Sequence, residues 1–103
     1  MVESIIGCKW SLRLLELIVG GCRRPSELLR ACPGLSTKVL QERLRKMRRF
    51  GMVERSVEGE KPPLRVDYCP TPFGRRFATI VEEVRKLQAD LDAKVIERRR
   101  DLD

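Results

Sequence analysis

The sequence contains no histidine, and its four cysteines, Cys8, Cys22, Cys32 and Cys69, never fall into CxxC spacing. Structural zinc is held by Cys and His at short, regular separations, so no metal site and no cofactor are expected. There is also no Gly-rich phosphate loop and no pair of carboxylates in a plausible pocket. Without these or an imidazole nothing positions a reaction, and no catalytic residue is assigned. No apolar run approaches the ~20 residues that a membrane span needs, and the N-terminus shows no basic segment leading into a long apolar core. These absences point to a non-enzymatic protein of the reducing cytoplasm, with free thiols and no membrane partner.

What the chain does have is positive charge, a formal +7 over 103 residues, the size of one small domain. Its placement matters more than its amount. Residues 1–22 are neutral, residues 66–103 are neutral, residues 23–35 carry +2 and residues 36–65 carry +5. The whole excess therefore lies in the middle of the chain, where a polyanion would bind.

That middle stretch also has the clearest helix. Ser36 to Gly51 reads STKVLQERLRKMRRFG, with a hydroxyl to cap the start and a glycine to close the end. Leu40, Leu44 and Met47 recur on one face, flanked by Val39 and the stem of Arg43, and Lys38, Gln41, Glu42, Arg45 and Arg49 fall on the other. One face packs and the other meets a partner. Ahead of it, Pro25 to Ala31 forms a short amphipathic helix with Leu28 and Leu29 inward, and Cys32-Pro33-Gly34-Leu35 makes the corner between the two. Two short helices across a tight turn are a helix-turn-helix, whose second helix enters the DNA major groove.

Upstream, Met1 to Ile6 is an apolar lead-in that turns at Gly7, and Lys9 to Val19 is leucine-rich on more than one face, as expected of the most buried helix. Downstream, Met52 to Val57 and Leu64 to Cys69 alternate as two strands, with Val53 and Val57 directed to one side. Their connection, residues 58–63, is too long for a tight turn, so the pair should project as a wing bearing Lys61 and Arg65. Thr71-Pro72 then starts a long helix in which Phe73, Phe77, Ile80, Val84, Leu87 and Leu91 form a heptad seam. Phe73 and Phe77 are expected to pack on their own domain, while Val84, Leu87 and Leu91 form a dimer interface. The Arg98-Arg99-Arg100 tail is expected to be frayed and solvated.

The chain is thus expected to be α+β and mostly helical: a winged helix-turn-helix over residues 1–71, with a two-stranded wing, and a long C-terminal dimerisation helix over residues 72–103 within the same compact unit. In the reading this supports, Thr37, Lys38, Gln41 and Arg45 read bases, and Arg23, Arg24, Ser36, Arg49, Lys61 and Arg65 hold the DNA backbone. The expected function is sequence-specific, double-stranded DNA-binding transcriptional regulation as a homodimer, with an effector left open. The alternative is a winged-helix module that docks an acidic protein through the same basic face.

The residues carry a family resemblance as well. The Gly-x-Lys-Trp opening, Arg-Arg before the first short helix, Pro-Gly-Leu-Ser followed by Leu-x-x-Arg-Leu, and Pro-Pro followed by Tyr-x-x-Thr-Pro-x-Gly-Arg occur in order. In these stretches the chain resembles the HxlR-type (DUF24) winged helix-turn-helix regulators, related in architecture to MarR-type repressors. The resemblance implies a dimeric transcription factor on an inverted repeat, paired through its terminal helices. Many members sense oxidants or aldehydes with a cysteine about a dozen residues before the Lys-Trp pair, a position outside this sequence. Cys8 stands where glycine is usual and is the candidate redox thiol, a buried inert thiol being the other reading.

Overall fold

The computed structural model describes the backbone of residues 10–102 and the side chains of residues 10–94. The expectations for the lead-in at residues 1–7, for Cys8 and for the side chains of Arg98, Arg99 and Arg100 lie outside the described residues.

Helix α1, Ser11–Val19, places Leu14, Leu15 and Ile18 fully inside the core. Its leucine-rich sequence leaves little polar surface, so it forms the centre against which the other elements pack. Helix α2, Pro25–Ala31, begins with proline at a position where no N–H is needed, and the Glu27 carboxylate accepts from the Arg24 N–H at 3.0 Å. Buried Leu28 fixes its inner face.

Helix α3, Thr37–Arg49, starts where the Ser36 hydroxyl accepts from the Val39 N–H at 3.2 Å. Its far end is closed by two crossed hydrogen bonds, Met52 N–H to Met47 carbonyl at 2.9 Å and Gly51 N–H to Arg48 carbonyl at 3.0 Å. This closure needs a left-handed residue at its turn, and Gly51 supplies it with φ +73°. Met47 and Met52, brought together by the turn, are both fully buried.

Strands β1, Val53–Glu58, and β2, Arg65–Pro70, pair antiparallel from Val53↔Pro70 to Glu58↔Arg65. Each strand lies one residue later than the alternation suggested, so Leu64 belongs to the connection. Val53 is buried but Val57 is 43% exposed, because the hairpin has left the domain surface by then. A further bridge, Arg23↔Tyr68, lays the α1–α2 connector against the other edge of β2.

That bridge explains the one cysteine expectation that fails. Cys22 and Cys69 are not free thiols; they form a disulfide with a Cα–Cα distance of 4.3 Å. Their separation of 47 residues carries no local motif, and only the pairing of Arg23 with Tyr68 reveals them as neighbours. Cys32 is free and buried.

Helix α4, Pro72–Leu102, runs out from the end of β2. The Thr71 hydroxyl accepts from the Gly74 N–H at 2.9 Å and donates back to the Met52 and Gly51 carbonyls. The root of α4 is thereby fastened to the exit of α3. Phe77 and Val81 enter the core and Arg85 pairs with Glu16 of α1, whereas Phe73 is about half exposed. Phe73 does not pack on its own domain as expected. The inward face follows Gly74, Phe77, Val81 and Arg85, rotated by roughly 90–100° from the line through Phe73, Ile80, Val84, Leu87 and Leu91. Those last five are all exposed, Leu87 at 68%. Among the described residues, no helix is long and apolar enough to cross a membrane.

Candidate nucleic-acid interface

Burying Leu40, Leu44 and Met47 turns the opposite side of α3 to solvent. Thr37, Lys38, Gln41 and Arg45 are all exposed there, on an arc of roughly 100° over the first two turns. Arg48 and Arg49 extend the same side toward the helix C-terminus, and Glu42 is the one carboxylate among them. An arc of this width matches the sector of a helix that reaches base edges, with its margins left to the flanking phosphates.

The margin toward the wing is built by two elements. Arg45, Arg48 and Arg49 of α3 and Val53, Glu54 and Arg55 of β1 line an open groove of about 610 Å³. Arg55 shares its strand face with buried Val53 but lies where the core ends, so its guanidinium reaches the rim instead of the interior. Four guanidinium groups against one carboxylate make this groove strongly cationic. Arg48 and Arg55 were not among the residues singled out from the sequence. Arg48 could have been found by its helical position, but Arg55 belongs to the site only through the packing of β1 beside α3.

The remaining sequence candidates are distributed around this centre. Ser36 uses its oxygen as an acceptor for the Val39 N–H, which leaves the hydroxyl proton to donate. Arg24 is exposed at the start of α2. Arg23 is only half exposed, and its Nε–H donates to the Leu17 carbonyl at 3.2 Å. That contact caps the C-terminal end of α1 and draws Arg23 away from the exposed group. Lys61 is exposed in the connection between β1 and β2. Arg65 donates through Nε to Asp67 at 2.9 Å, and this hydrogen bond, with the charge of Asp67, holds its guanidinium above its ordinary pKa. Asp67 thus orients Arg65 while taking up part of its charge. Val84, Leu87 and Leu91 lie on the free length of α4, remote in sequence from the basic segment. Among the described residues, no group of three or more Cys, Asp or Glu comes together to hold a metal ion.

Comparison with known proteins agrees with this geometry. A sequence profile described as HxlR-like helix-turn-helix matches residues 5–95. An uncharacterised HTH-type transcriptional regulator from Synechocystis sp. (strain PCC 6803) is 39% identical over 89 residues, covering 86% of this chain and 65% of the relative. The chain therefore spans somewhat under two thirds of that relative's length. Among solved structures, a MarR-family transcriptional regulator from Enterococcus faecalis V583 superposes with a TM-score of 0.83 at 33% identity, covering 92% of this chain and 86% of the other. The redox regulator HypR in its reduced form superposes with a TM-score of 0.76 at 31% identity, covering 93% of both chains. The winged fold, the cationic α3 face and these likenesses agree, and the chain belongs to the HxlR-like helix-turn-helix family of transcriptional regulators.

Proposed function

We propose that the protein binds an inverted repeat in duplex DNA as a homodimer and regulates transcription from it. The observation that carries this reading is the exposed, cationic side of α3, continuous with the arginine-lined groove beside β1. In this reading Thr37, Lys38, Gln41 and Arg45 face the base edges, where glutamine pairs bidentately with adenine and arginine with guanine. Ser36, Arg24, Arg48, Arg49, Arg55, Lys61 and Arg65 hold phosphates, and Arg23 supports them by anchoring the connector. Its cytoplasmic placement follows from this work on chromosomal DNA and belongs to the same proposal.

The second subunit pairs along Val84, Leu87 and Leu91, continued by Ile80 and Phe73 at the root of α4. These apolar side chains recur at heptad spacing on a helix face that the domain does not cover. Two copies then place their α3 helices at half-sites about one DNA turn, roughly 34 Å, apart.

The test is selection of binding sites from random duplexes, followed by affinity measurements across a salt series. Enrichment of a two-fold symmetric site, with log affinity falling steeply against log salt, is the expected result. Failure to bind any duplex at low salt would refute the proposal.

A further inference from the structure

Away from the groove between α3 and β1, carboxylates hold surface cations: Asp67 holds Arg65 at 2.9 Å, Glu83 holds Lys86 at 3.3 Å, and Glu16 pairs with Arg85. The arginines that line the groove break this pattern. Arg45, Arg48, Arg49 and Arg55 are all exposed, and among the described residues none of them forms a salt bridge, although Glu54 shares their lining. Arg45, Arg48 and Arg49 stand at i, i+3 and i+4 on α3, a spacing at which like charges repel. The helix dipole favours cations in the last turn, which accounts for Arg48 and Arg49. It does not account for Arg55, which β1 brings to the same groove from a separate element.

The shape and lining of the groove narrow the kind of anion it suits. Its volume of about 610 Å³ is that of a small-molecule site, larger than one phosphate group fills. Among the described residues, no aromatic ring lines it for a base to stack on, and its one apolar member, Val53, is itself buried. Recognition there falls to charge and to the guanidinium forks, whose paired N–H groups match the oxygens of phosphate. Four forks around one groove are more than a single phosphate takes up. A linear condensed phosphate brings a charge on every phosphorus into the same small volume.

We propose that this groove binds a linear condensed phosphate, either inorganic triphosphate and its longer polymers or the triphosphate tail of a nucleotide, and that its occupancy keeps duplex DNA off α3. The exclusion rests on the DNA-binding reading above; the anion site does not. Exclusion follows from shared residues. Arg45 belongs both to the base-reading arc and to the groove, and Arg48, Arg49 and Arg55 hold the duplex backbone in that reading. A phosphate chain lying across these four side chains takes up the donors and the charge that the duplex needs. The chain is bound and released intact, with no bond made or broken.

The experiment titrates the full chain by calorimetry with tripolyphosphate, ATP, AMP, orthophosphate and citrate, at constant ionic strength and without divalent ions. Each titration is then repeated as displacement of a fluorescent selected duplex. Tripolyphosphate and ATP should bind and displace the duplex, with AMP, orthophosphate and citrate weaker by about tenfold or more. Equal affinity for ATP and tripolyphosphate assigns the site to any phosphate chain end, and preference for tripolyphosphate assigns it to the free polymer. Arg55→Ala should weaken tripolyphosphate about tenfold. Arg75→Ala removes the same charge from the exposed surface of α4 and should leave that affinity unchanged. Citrate as strong as tripolyphosphate, or equal losses in the two variants, would show general charge screening and overturn the site. Simultaneous binding of tripolyphosphate and duplex would overturn the exclusion. A chain that binds tripolyphosphate but no duplex would defeat the DNA-binding reading, and the exclusion with it, while the anion site stands.

Discussion

The Met52 carbonyl oxygen occupies the place where a side chain at Gly74 would begin. A Cβ built on Gly74 would lie 2.0 Å from that oxygen and 2.9 Å from its carbon, far inside any contact that atoms tolerate. The first turn of α4 therefore rests on backbone, at the point where α3 has just ended. Gly74→Ala must push α4 away from Met52, which also disturbs the Thr71 hydrogen bonds to the Met52 and Gly51 carbonyls. The expected cost is about 3 kcal/mol, at the upper end of what forced overpacking produces, read as a lower denaturant midpoint at unchanged slope. A variant with the parental midpoint would show that the two helices are not in this contact.

Base reading and backbone holding should separate by mutation. Arg45→Ala is expected to cost about 1–3 kcal/mol on the selected duplex and to relax preference at one base position. Arg55→Ala and Arg48→Ala should weaken selected and random duplexes alike, each reducing the slope of log affinity against log salt by about one. Equal losses for Arg45→Ala on both duplexes would remove it from the base-reading group.

Ser36 caps α3, and the proposed interface gives it a second role that mutation can separate from the first. Ser36→Ala removes the acceptor for the Val39 N–H and should cost about 1 kcal/mol of stability. Ser36→Asp restores the acceptor but sets a carboxylate where a phosphate is expected. Stability should recover while duplex affinity falls below that of Ser36→Ala. Recovery of both would place Ser36 away from the DNA.

The exposed seam of α4 predicts a dimer that a single charge disrupts. Leu87→Glu places a carboxylate amid Val84 and Leu91 without touching the core, since Leu87 is 68% exposed in the isolated chain. Sedimentation should shift from dimer to monomer at micromolar concentration, with helicity and the unfolding of the winged domain largely retained. A parental chain that sediments as a monomer under the same conditions would refute the pairing surface.

The parts of this fold legible in the sequence are those whose cause is local. Ser36, Gly51, Pro25 and Thr71 mark helix ends through their own hydrogen-bonding or conformational chemistry, and the structure places helix ends beside each of them. The buried line Leu40, Leu44 and Met47 follows from helical period alone. What escaped depended on contacts distant in sequence. The Cys22–Cys69 bond, the membership of Arg55 in the cationic groove and the exposure of Phe73 arise from the way β1, β2 and α4 dock. Arg23 shows the same limit from the other side: the sequence displays a free guanidinium, and only the folded chain reveals that Leu17 engages it.

Helix α4 has two working faces roughly a quarter-turn apart, with Phe77, Val81 and Arg85 on one and Ile80, Val84, Leu87 and Leu91 on the other. In the proposed dimer, anything that altered how two such rods lie against each other would therefore act as a lever. Because each rod is bolted at Gly74 to the exit of α3, a small roll along the seam would swing the twin arginine-bearing ends in mirrored arcs, changing the gap between them without unfolding either half.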